Sequence, residues 1–108
     1  MSEPRAAAGL LVSALVRRIE AEGGSAMVLA KGDATAGAIL LALADRGVDG
    51  ALLERSLGAN GYEWRETGPA DPSQRGAYLA DRRRFDPDLW VVELDHADAR
   101  RIALNLLS

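Results

Sequence analysis

Leu11, Val12, Leu15, Val16 and Ile19 return to one side of a 3.6-residue repeat, with Ser13, Arg17 and Glu20 on the other, so residues 6–22 are expected to form an amphipathic helix. Gly23-Gly24 closes it, one of the pair supplying the left-handed residue that helix ends favour. Two apolar runs follow, 25–31 and 36–44. Each is short and bounded by turn residues, which predicts strands, although Ala-Leu composition also permits helix. Met27 and Leu29 alternate with Ala26, Val28 and Ala30, and Ile39, Leu41 and Leu43 with Ala38, Leu40 and Ala42. With both faces apolar, this pair is expected at the centre of a sheet covered on both sides. Lys31-Gly32-Asp33-Ala34-Thr35-Ala36 is short enough to join them as a hairpin.

Asp45-Arg46-Gly47-Val48-Asp49-Gly50 reads as a turn, 51–57 as a third strand, Asn60-Gly61 as a hairpin turn and 62–67 as a fourth strand. Tyr62 and Trp64 share one face of that strand, Glu63 and Arg65 the other. Short turns between successive strands favour an antiparallel meander. Asp71-Pro72-Ser73-Gln74 is a helix start, with Asp71 as cap and Pro72 in the first helical position. This second helix runs to about Arg84 and has a thin apolar side, Ala77, Tyr78 and Phe85, so it should lie on the surface. Asp86 precedes Pro87 and is pushed out of helical geometry. Residues 89–94 form the fifth strand. Asp95 or Asp98 then caps a last helix with Ala99, Ile102, Ala103, Leu106 and Leu107 as its buried stripe.

The pattern therefore predicts an α+β fold in one domain, residues 1–108. It is a single sheet of about five mostly antiparallel strands with three helices, in the order α-β-β-β-β-α-β-α. A fifth strand placed beside the fourth would instead make the intervening helix a right-handed parallel crossover.

Composition narrows the function more than it names it. A chain of 108 residues, 48% hydrophobic and 27% charged, is globular and buries roughly 65% of its unfolded surface. Aromatics are only 5%, so the core must be aliphatic. With no cysteine there is no disulfide, thiolate metal site or Cys nucleophile, which suits a reducing, cytoplasmic setting. His96 is the single histidine, so a multi-His metal site cannot be built. The net charge of −3, with twelve Arg and one Lys, argues against nucleic-acid binding by the surface as a whole. The apolar run 6–16 is far shorter than the ~20 residues of a membrane span. Arg17-Arg18 stands where a signal peptide would need small residues.

Two polar corners are the candidate sites. Arg82, Arg83 and Arg84 sit in a last helical turn, where cations oppose the helix dipole and could also meet an anion or a partner. They point about 100° apart, so they make no single patch by themselves. Asp88 follows Pro87, in a set with Asp86, Glu93 and Asp95 that turn and cap roles account for; no metal site is expected. Lys31 and Asp33 flank Gly32, which permits unusual backbone geometry but lacks the rest of a phosphate-binding loop. His96 beside Asp95 and Asp98 reads as polar surface more readily than as a catalyst, and no serine lies in a Gly-x-Ser-x-Gly setting. Trp64 and Trp90 read as core or core-edge residues.

Val12-Ser13-Ala14-Leu15-Val16-Arg17-Arg18, Val28-Leu29-Ala30-Lys31-Gly32-Asp33, Ala36-Gly37-Ala38-Ile39-Leu40 and the stretch from Asp86-Pro87-Asp88-Leu89-Trp90 to Asp95 occur in that order. The ordered set resembles an alphaproteobacterial domain-of-unknown-function family, DUF1491, across nearly the whole chain, with a looser match over 44–73. The resemblance implies a small cytoplasmic α/β-type domain and carries over no activity, cofactor or catalytic residue. Two expectations remain. One is a non-catalytic module that binds a protein partner or itself, with no cofactor and no membrane contact. The other is an enzyme or binder for an anionic, phosphate-bearing ligand, using Asp33 or Asp88 with an arginine from Arg82 to Arg84, near the Lys31 corner.

Overall fold

The structure, a computed structural model, describes residues 7–59 and 61–107. Helix α1 (Ala8–Ala21) turns back through Gly23, whose φ of 89° is the left-handed geometry a glycine accepts at a helix end, into β1 (Ser25–Ala30). Then come β2 (Ile39–Asp45), β3 (Val48–Gly58), β4 (Gly61–Thr67), one 3-10 turn (Pro72–Gln74), α2 (Arg75–Phe85), β5 (Trp90–Asp95) and α3 (Ala99–Leu107). This is the expected α+β order. The chain end at residues 1–5, Asn60 of the Asn60-Gly61 turn and the Leu107 side chain lie outside the described residues.

The strands lie in the order β1-β5-β2-β3-β4. β2, β3 and β4 form the antiparallel meander their short turns imply. The expected β1–β2 hairpin does not form: β5 inserts between them, antiparallel to β1 and parallel to β2. β5 also lies away from β4, so the alternative pairing of those two strands is not made either. The physical reason is bulk. Central positions bury both faces of a strand, and β5, with Trp90, Val91, Val92 and Leu94 all buried, fills one more fully than β1, whose Met27, Val28 and Leu29 stand beside Ser25, Ala26 and Ala30. β2 is covered on both faces from Ile39 to Ala44, as expected, but β1 is an edge strand. Its Met27, Val28 and Leu29 are 59%, 41% and 48% exposed.

Two apolar layers result. On one face, Leu15 and Ile19 of α1 and Ile102 and Ala103 of α3 close over Leu41, Leu53, Val92 and Leu94. On the other, Tyr78 and Leu79 of α2 pack on Leu40, Ala42, Leu52 and Val91. Both tryptophans belong to the first layer, and the Trp64 Nε1–H donates to the Ala103 carbonyl at 3.1 Å, fastening α3 to β4.

Polar groups set the ends of the elements. Arg46 and Gly47 have φ of 53° and 79°, the pair of positive values a two-residue hairpin turn requires, so β3 begins at Val48 rather than 51. The Asp95 carboxylate accepts from the Arg46 and Gly47 N–H groups at 2.8 and 3.0 Å. Asp95 thus holds this turn, and the α3 start is served by His96, whose Nδ1 accepts from the Asp98 N–H at 2.8 Å. With Nδ1 accepting there, Nε2–H is the donor to the Glu22 carbonyl at 2.9 Å, so His96 ties α3 to the end of α1.

Asp71 caps the turn before α2 as expected, its Oδ1 accepting from the Ser73 N–H and hydroxyl, both at 2.9 Å. The Ser73 backbone and side-chain bonds hold the Asp71 carboxyl below its ordinary value. Asp71→Ala is expected to lower the melting temperature by a small, measurable amount at neutral pH. A depressed folded-state value gives stability that is present above the unfolded value and lost as pH falls through the folded one. The gap between Asp71→Ala and the parent in thermal melts should therefore close on acidification; a gap unchanged by acid overturns the assignment.

Candidate functional site

The sequence-singled residues meet at one junction, where the loop after β1 packs on the segment entering β5. Asp33 organises the loop: its Oδ2 accepts from the Thr35 and Ala36 N–H groups at 3.1 and 2.7 Å. The Asp33 N–H donates to the Asp88 carbonyl at 3.0 Å, and Trp90 Nε1–H donates to the Asp33 carbonyl at 2.7 Å. A Cβ on Gly32 or Gly37 would overlap the Asp88 carbonyl oxygen. Gly32 is therefore needed for space, not for unusual backbone geometry: its φ is not among the positive ones. The same loop closes the start of α1, since the Ala8 and Gly9 N–H groups donate to the Thr35 and Ala34 carbonyls at 3.3 and 2.9 Å.

The three arginines separate by role. Arg83 Nη1 reaches the Lys31, Pro87 and Leu89 carbonyls at 3.1, 2.8 and 2.8 Å, clasping the end of β1 to the start of β5. Arg82 forms a two-pronged pair with Glu54 of β3, at 2.7 and 2.9 Å, and also donates to the Tyr78 hydroxyl at 3.0 Å. The Glu54 carboxylate, against the opposing effect of burial, holds the Arg82 guanidinium more firmly protonated than a free arginine. Arg84 stays at the surface, paired with Asp81 at 3.0 Å and lying over the Phe85 ring. Phe85 itself is 81% exposed, and Ala77 is exposed too, so neither forms the inner side of α2 as expected.

That inner side is Arg75, Tyr78, Leu79 and Arg82, spaced i, i+3, i+4, i+7. Arg75 is only 6% exposed and was not legible as an interior residue. Between the pairs Ala42–Leu52 and Ala44–Asp49, β3 carries Gly50 and Ala51 against the single Leu43, a bulge that breaks the ladder. Arg75 Nη1 donates to the Leu43 and Gly50 carbonyls, both at 3.0 Å, and lies 3.7 Å from the Asp49 carboxylate. A search for a cation seven residues before Arg82 on the same helix face is the signal that could have found it.

Of the residues expected to touch a ligand, Lys31, Asp33, Arg83 and Asp88 are thus brought together, while Arg82 and Arg84 are not part of the junction. Asp33 and Arg83 spend their polar atoms on backbone. Lys31 and Asp88 are exposed. Asp86 accepts from the Asp88 N–H at 3.2 Å, the local turn bond expected of it. Among the described residues, no three His, Cys, Asp or Glu gather as metal ligands would.

Beside the junction runs a groove of about 750 Å³ between α1 and the β1 edge. Leu10, Val16, Val28 and Trp90 give it apolar walls, and Arg17 and Lys31 are its charged lining. Leu10 is 68% exposed. No helix among the described residues is long and apolar enough to cross a membrane.

The same architecture recurs in solved proteins. A crystal structure of a DUF1491 family protein from Caulobacter crescentus CB15 is 35% identical over 88% of this chain and 92% of that one, with a TM-score of 0.77. An NMR structure of a DUF1491 family protein from the same organism gives 34% identity over 93% and 94%, with a TM-score of 0.78. The solution structure of protein Atu0922 from A. tumefaciens gives 35% identity over 85% and 86%, with a TM-score of 0.68. Comparison with the curated proteins gave no match. Residues 6–104 match the family described as "Protein of unknown function (DUF1491)", and the chain belongs to that family.

Proposed function

We propose that this protein is a small cytoplasmic, non-catalytic module that holds a polypeptide partner, or a second copy of itself, at the β1 edge. The observation that carries the reading is the strand itself. Among the described residues Ser25–Ala30 pairs on one side only, with β5, and it contains neither charge nor proline. The opposite edge strand, β4, carries Glu63, Arg65 and Glu66. Edge strands invite pairing unless charge, proline or cover protects them, and β1 has its Met27, Val28 and Leu29 side chains open to solvent. The absence of cysteine agrees with a reducing compartment. Chemistry on an anionic ligand fits less well, because Asp33, Arg82 and Arg83 are engaged within the protein.

The test pairs affinity capture from the native cell with sedimentation of the purified chain. Met27→Lys combined with Leu29→Lys places two charges on the open strand at small cost to folding, which a thermal melt verifies. The partner, or the self-association, should be lost from this variant. An interaction retained in full by the variant, or a strict monomer that captures nothing, removes the reading.

A further inference from the structure

We infer that the segment recognised at the β1 edge is an extended apolar peptide carrying carboxylates, which seat on Arg17 and Lys31. This rests on the binding role proposed for β1 and adds the chemistry of its occupant. The groove beside β1 has apolar walls and two cations, and among the described residues no carboxylate lines it. Some cations elsewhere are answered by a carboxylate of the fold, Arg18 by Glu22, Arg75 by Asp49, Arg82 by Glu54, Arg84 by Asp81 and Arg101 by Asp98, and Arg83 is spent on backbone carbonyls. Arg17 and Lys31 have no such answer among the described residues, although the chain as a whole is acidic, with a net charge of −3. Two unanswered cations in an apolar groove complement an anionic guest with apolar side chains.

Topology gives the guest its conformation. α1 turns back into β1, so Arg17 stands toward the beginning of the strand and Lys31 just past its end. A strand added outside β1 runs between these positions, and its alternate side chains fall on the α1 side of the sheet. Apolar residues there meet Leu10, Val16 and Val28, and acidic ones reach the two cations. A second copy fits less well. Antiparallel pairing of β1 with its own image places both α1 helices on the same face of the joined sheet. The two grooves would then merge, gathering the cations of both copies without bringing in a lining carboxylate.

The experiment measures fluorescence anisotropy of three capped, dye-labelled peptides in low salt: Val alternating with Glu, with Gln, and with Lys. The Val/Glu peptide should bind about 10-fold more tightly than Val/Gln, with an advantage that shrinks in high salt, and Val/Lys should not bind. Arg17→Glu with Lys31→Glu, both surface changes, should reverse the order of the Glu and Lys peptides. Equal binding of the three peptides, or binding of none, overturns the inference. So does a concentration-dependent dimer that excludes the peptides and is broken by Met27→Lys with Leu29→Lys. That last result leaves the β1 edge as the binding surface and fails only the acidic guest, whereas insensitivity to the strand lysines fails the surface itself.

Discussion

Arg75→Met should lower the stability of the folded chain by about 3 kcal/mol, a large part of the ~5–15 kcal/mol typical of a domain. The guanidinium is 6% exposed and serves two carbonyls at the bulge in β3, those of Leu43 and Gly50. Methionine fills similar space without a donor, so both oxygens lose a charge-assisted bond, at ~1–3 kcal/mol each when wholly buried. The Gly50 bond is only partly buried, and water reaching that oxygen brings the sum, ~2–6 kcal/mol for two oxygens, into its lower half. The Asp49 pair adds little, because the Asp49 side chain is 45% exposed.

Urea unfolding checks this directly: the midpoint should fall with the slope unchanged, and the melting temperature should drop by ~10–20 °C. Arg84→Met, on the same helix but exposed, is the control and should move stability by no more than ~0.5 kcal/mol. Equal effects of the two substitutions would show that the bulge carbonyls find other partners. Arg75 would then be surplus to the β2–β3 junction.

Arg75 also marks where pattern reading reached its limit. Hydrophobic periodicity located α1, β5 and α3, while turn and cap residues bounded β1, β2 and α2. It undervalued α2, whose inward side is built from Arg75, Tyr78, Leu79 and Arg82 and joins the sheet by charge-assisted bonds as much as by apolar contact. Strand order was less legible than strand existence. Local spacing suggests that the 31–36 linker closes a hairpin, but the choice depends on what else needs the centre of the sheet, and β5 lies fifty-odd residues away in the chain. The candidate site was legible as a cluster and not as a function. The corner at Lys31 and the segment at Asp88 do meet, through backbone groups that side-chain identities do not report.

Gly32→Ala should cost about 3 kcal/mol, as overpacking at a backbone contact does. The new methyl would overlap the Asp88 carbonyl oxygen and stand 2.7 Å from Trp90 Cδ1 and 2.8 Å from the Leu89 carbonyl carbon. None of these is the loose end of a flexible side chain. Relief requires the loop after β1 to move off the segment entering β5. That motion pulls on the Asp33–Asp88 bond, the Trp90–Asp33 bond and the Arg83 contact with Lys31 together. Gly76→Ala is the informative comparison. Gly76 is exposed on α2, with open space where its Cβ would stand, so alanine should stabilise the helix by ~0.5–1 kcal/mol. Two glycine-to-alanine changes of opposite sign separate packing from backbone entropy. Hydrogen exchange at the Trp90 indole adds the location: it should quicken in Gly32→Ala at a temperature where the chain is still folded. An indole that stays protected while stability falls would place the strain elsewhere, and the Lys31-Gly32-Asp33 corner would then be a tolerant turn instead of the joint that seats β1, and with it the proposed binding edge, against β5.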